Sequence, residues 1–83
     1  MNYLQPYLVK WRDIKHESEW KDFDDIIAPW TVTTMGFFIK EEADYYVFCS
    51  GFSEDQFYTQ DAIPKGTVVS ITELSTGKNI LGV

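Results

Sequence analysis

From Thr31 to Leu74 nearly every residue belongs to a β-type segment or to a short turn between two of them. Thr31–Lys40 is dense in β-branched and aromatic residues, which suit a pleated, half-buried surface. Glu41-Glu42-Ala43-Asp44 makes a polar turn and Tyr45–Phe52 returns as the next strand, so the two read as a hairpin. A second polar loop, Ser53-Glu54-Asp55-Gln56, leads to a shorter strand, Phe57–Ala62. The tight turn Ile63-Pro64-Lys65-Gly66 then precedes a last strand, Thr67–Leu74. Pro64 fixes φ and Gly66 admits a positive one, a pairing suited to one turn of 3₁₀ helix or a type II-like turn. Gly36 within the first strand predicts a bend or a bulge.

The N-terminal part carries one more strand and one change of period. Met1–Pro6 has no periodicity and reads as a loose lead-in. Tyr7–Ile14 alternates, with Tyr7, Val9 and Trp11 on one face and Lys10 and Arg12 on the other, as a half-buried strand does. Trp20, Phe23 and Ile27 then recur at helical spacing, with Glu19, Asp22 and Asp25 between them. Ser18 suits an N-cap and Pro29 stops any continuation. The expectation is a short helix over Ser18–Ile27, held by packing Trp20 and Phe23 on the sheet, with an irregular loop carrying one helical turn as the alternative. After a turn at Ser75-Thr76-Gly77-Lys78, the apolar tail Asn79–Val83 is expected to add a strand or to dock on another subunit.

Eighty-three residues suffice for one small domain, 1–83, with a thin core. Three Trp, five Tyr and six Phe are more than a barrel of this size hides, so some are expected on a partner-facing surface. The strand from Thr31 is apolar on both faces, Val32, Gly36 and Phe38 on one and Met35, Phe37 and Ile39 on the other. A second cover is therefore needed, which points to a homo-oligomer.

Thirteen acids against seven bases give a net charge of −6, which argues against broad binding of a nucleic-acid backbone. The same charge permits a negative face, Glu17, Glu19, Asp22, Asp24 and Asp25, turned toward a basic protein. One cysteine, Cys49, excludes an internal disulfide and a cysteine-based zinc site, and its apolar run marks a buried thiol. No leader peptide and no membrane-spanning run is visible, so a soluble, cytoplasmic protein is expected.

The order strand, long excursion, hairpin, short strand, Pro-containing turn and last strand resembles a five-stranded SH3-like β-barrel with one short helix in its first long loop. The Ala-Leu-Tyr-Asp-Tyr-like strand and paired tryptophans of peptide-binding SH3 domains are absent, and Gly66-Thr67 stands where their groove has Asn-Tyr. Recognition of Pro-rich peptides is not expected. The run Trp11-Arg12-Asp13, then Trp20, Thr34-Met35-Gly36 and Ile63-Pro64-Lys65-Gly66 is similar to a group of small proteins encoded by bacteriophages and prophages. That resemblance spans about residues 9–74. It implies a place in the host cytoplasm and action by binding, either to a host protein or to a nucleotide signal used in host defence.

Catalytic patterns are missing. His16 is the only histidine, and with Asp13 and Glu17 it makes no ligand set. Neither Cys49 nor a Ser or Thr has a positioned base in view. Ser75-Thr76-Gly77-Lys78 lacks the earlier glycine and the following helix of a phosphate-cradling loop. A non-enzymatic protein with no cofactor and no metal is therefore expected. Binding material is richer: Trp30, Tyr45, Tyr46, Phe57 and Tyr58 form a candidate stacking wall. Lys65, Thr33, Thr34 and Ser70 are candidates to hold a phosphate beside it. The expected function is sequestration of a small nucleotide-type signal, with an acidic protein inhibitor or DNA mimic, or a virion adaptor, as the alternatives.

Overall fold

A computed structural model describes residues 1–75 and 77. The fold is mainly β. Five strands, β1 (Pro6–Asp13), β2 (Trp30–Glu41), β3 (Tyr45–Phe52), β4 (Phe57–Pro64) and β5 (Val68–Glu73), make one antiparallel sheet ordered β4-β3-β2-β1-β5. A single 3₁₀ turn, Lys65–Thr67, joins β4 to β5, so of the two turns expected the 3₁₀ form is found and Gly66 does not take up the positive φ open to it. The apolar tail Asn79–Val83 lies outside the described residues.

The sheet is curled but not closed. Four strand spacings would put flat edge strands roughly 19 Å apart. Three residues cannot bridge that, since the chain advances at most about 3.6 Å per residue. Accordingly Ile63 of β4 and Val68 and Ile71 of β5 pack on one cluster with Tyr7, Val9, Phe38 and Phe48. No strand pairing links β4 to β5 among the described residues, so the expected barrel is an open sheet here.

The core is aromatic and small. Tyr7 meets Phe38 and Phe48 edge-to-face at 6.4 Å each, and Phe38 meets Phe48 at 5.9 Å. Gly36 sits opposite Tyr7 and beneath Phe48, where a Cβ would come within 2.9 Å of the Phe48 Cβ. Its role is therefore close approach of two strands; the register shift in β2 falls between Phe38 and Lys40 instead. Behind β3, Val47 and Cys49 are also buried, and Phe37, the cross-strand partner of Cys49, meets the Phe52 ring at 5.1 Å. The lead-in is tied to the sheet: the Leu4 amide donates to the Phe38 carbonyl and the Phe38 amide to the Gln5 carbonyl.

The expected helix over Ser18–Ile27 is not formed. Residues 14–29 are an irregular arm that leaves the sheet at the Asp13–Trp30 pair, with one turn closed by Asp25 N–H to the Asp22 carbonyl. Trp20 and Phe23 are 101% and 96% exposed and touch no sheet surface. Two helical turns cannot meet the cost of nucleation without packing, and here the packing is absent. The arm helps stretch the molecule to 60 Å and its radius of gyration to 16.9 Å, against about 12 Å for a compact chain of this length.

Candidate functional site

The nine residues singled out for ligand binding, five aromatics and four polar side chains, fall into separate places. Lys65 lies at the 3₁₀ turn, where its Nζ donates to Glu41 Oε2 at 2.6 Å and stands 5.1 Å from the Tyr46 ring. The Lys65 amide also donates to the Asp44 carbonyl, so this lysine ties the 3₁₀ turn to the β2–β3 turn, which the Glu42 amide closes on the Tyr45 carbonyl. Its hydrogen bond to Glu41 raises the lysine pKa above the usual range and lowers that of the carboxyl. Tyr45 and Tyr46 flank this corner, half-buried. The lysine meant for a phosphate is thus already paired.

Phe57 and Tyr58 sit at the far end of β3–β4. An open cleft of about 300 Å³ there is walled by Tyr3, Leu4, Phe52 and Phe57 and floored by the turn Ser53–Gln56. The turn is held by Ser53 N–H to the Gln56 carbonyl and by the Ser53 hydroxyl. Glu54 and Asp55 bring negative charge to the cleft and no lysine lines it, so it suits a flat neutral or cationic group rather than a phosphate.

Trp30 stands at the base of the arm with Lys15 Nζ 4.3 Å above its ring. Thr34 faces inward, where Trp11 Nε1 donates to its hydroxyl at 3.0 Å. Thr33 and Ser70 face outward and come together, but around a different cation. Both are the cross-strand partners of Lys10, one from β2 and one from β5. Arg12 follows two residues on, opposite Thr31. The alternation in Tyr7–Ile14 already put Lys10 and Arg12 on the face away from Val9 and Trp11; what it lacked was the pairing.

The arm is the surface that sequence reasoning placed wrongly. Trp20, Phe23, Ile14 and Ile26 are exposed along it, interleaved with Glu17, Glu19, Asp22, Asp24 and Asp25. Lys21 pairs with Glu19 at 3.5 Å. A helical period in the sequence is compatible with such an arm because periodicity reports spacing and not what the apolar residues touch.

The described residues hold no cluster of three or more metal-ligating side chains and no buried polar side-chain atom without a partner. None of their helices is long and apolar enough to cross a membrane. No protein-family model, curated protein or solved structure matches the chain.

Proposed function

We propose that the protein is a non-enzymatic, phage-encoded antagonist that blocks a host protein through its acidic, aromatic arm. The observation that carries this is the exposure of Trp20 and Phe23 among five acids and two lysines on residues 14–29. Monomeric surfaces rarely leave aromatics without any cover, and Trp is the residue most often found as an interface anchor. A partner with a basic rim and an apolar pocket complements such an arm. The sheet order, with a 3₁₀ turn between β4 and β5, supports an SH3-like scaffold as its platform.

Burying one such side chain contributes about 1.5–3 kcal/mol, so losing both anchors weakens binding by roughly a hundredfold or more. Affinity capture from a bacterial host lysate tests the reading. One host protein should be retained by the wild type and lost with Trp20→Ala/Phe23→Ala. Capture that is indifferent to those substitutions would contradict it. A second reading, sequestration of a nucleotide-type signal by a homo-oligomer, is favoured by the neighbouring shallow hollow lined by Gly51, Phe52, Ser53, Gln56, Phe57 and Tyr58, which has no acidic side chain and leaves Phe57 and Tyr58 exposed. Calorimetry with cyclic di- and oligonucleotides should then show binding, and the absence of heat removes this reading.

A further inference from the structure

In a chain so rich in acid, the described bases have mostly found partners. Lys21, Lys40 and Lys65 pair with Glu19, Glu42 and Glu41, and Lys15 covers the Trp30 ring. Lys10 and Arg12 are the exceptions: among the described residues they make no ion pair and no side-chain hydrogen bond. Both point from β1, a strand flanked on each side by a hydrogen-bonded neighbour, so their Cα positions are fixed. Two residues apart on one face, they stand about 6.8 Å from each other along the strand.

The surroundings match one chemistry. Thr33 and Ser70 flank Lys10 across the sheet, with about 4.8 Å between neighbouring strands, so a hydroxyl-bearing residue stands on either side of the lysine. Thr31 stands beside Arg12 and Thr72 beside Leu8. Next along the same face, Met35 opposes Leu8 and is 67% exposed, an apolar step directly beside the cationic one. Guanidinium, ammonium and hydroxyl donors around a spacing of this size fit a phosphate or diphosphate group, and a flat apolar surface fits what such a group is attached to.

We propose that this outer face of β1 binds a small phosphate-bearing ligand. Lys10 and Arg12 hold the phosphate oxygens, Thr33 and Ser70 donate from either side, and Leu8 with Met35 carries the apolar portion. A long polyanion is excluded by the acidic arm, which continues directly from β1 and would repel the flanking phosphates. The site is separate from the arm's apolar anchors and does not depend on the protein-blocking role.

Calorimetry on the full chain decides it, with ADP, inorganic pyrophosphate, adenosine and a thymidine oligonucleotide as separate probes. ADP should bind, pyrophosphate more weakly, and adenosine not at all. Lys10→Gln/Arg12→Gln should lose about ten- to a hundredfold in ADP affinity with an unchanged melting temperature, whereas Lys10→Arg/Arg12→Lys keeps most of it. Trp20→Ala/Phe23→Ala should leave ADP binding untouched. No binding of ADP or pyrophosphate at millimolar concentration would overturn the proposal, as would ADP affinity indifferent to the glutamine pair or dependent on Trp20 and Phe23. Preference for the oligonucleotide over ADP would also overturn it.

Discussion

Replacing Gly36 by alanine places one methyl group at the tightest point of the core. Its Cβ would lie 2.9 Å from the Phe48 Cβ and 3.2 Å from the Cys49 carbonyl oxygen. Neither neighbour yields cheaply. Phe48 is fully buried with rings on several sides, and the oxygen is part of the β3 backbone. Overpacking of this kind costs about 1–3 kcal/mol. In a domain of this size each 1 kcal/mol moves the melting temperature by about 4–8 °C, so a loss of roughly 4–24 °C is expected. Gly51→Ala is the matched control, because a Cβ there meets nothing within 4 Å and the backbone is not left-handed. It should be neutral or raise stability by up to about 1 kcal/mol, since alanine narrows the unfolded ensemble. Thermal and urea unfolding followed by far-UV circular dichroism reads both variants. If Gly36→Ala melts with the wild type, β2 and β3 do not approach as described and the account of the core fails.

Other outcomes follow from single contacts. Trp11→Phe removes the donor to Thr34 and should cost about 0.5–1.5 kcal/mol in urea unfolding, with an intact fold; no loss would mean that the bond is not made. Thr59 holds a left-handed backbone, φ 59°, that a β-branched residue adopts at a cost, so Thr59→Asn should stabilise the chain by up to about 1 kcal/mol. A lower melting temperature would argue against that backbone. The carboxyl of Glu41, lowered by the Lys65 hydrogen bond, should titrate below the ordinary glutamate range in a carbon-13 NMR experiment and return to it in Lys65→Met. Because the folded pKa is depressed, the contact stabilises above the unfolded glutamate value and is lost as pH falls through the folded one. The raised Lys65 value adds the mirror case, present below the usual lysine range and lost as pH rises through the folded value.

Strands were legible and the arm was not, for a physical reason. Alternation in Tyr7–Ile14, the polar turn Glu41–Asp44 and the Pro-Lys-Gly corner are local signals, and each element lies within about two residues of where those signals put it. The spacing of Trp20, Phe23 and Ile27 is just as local, yet a two-turn helix stands or falls on tertiary packing, which no local signal contains. Lys65 shows the same limit. Its position beside the aromatics was readable, but not that Glu41, twenty-four residues earlier, takes up its charge. The Thr33–Lys10–Ser70 row needs the β1–β5 pairing, between residues far apart in sequence. Closure of the sheet was expected from the order of elements, and order fixes which strands adjoin without fixing whether the edges bond.

Binding through the arm is tested most directly by the affinity of the captured partner, once purified, as a function of salt. The dissociation constant should rise steeply between low and high ionic strength, as exposed acids facing a basic rim require. Binding should also be about a hundredfold weaker with Trp20→Ala/Phe23→Ala at any single salt concentration. An affinity that neither salt nor the loss of both aromatics changes would contradict binding through the arm.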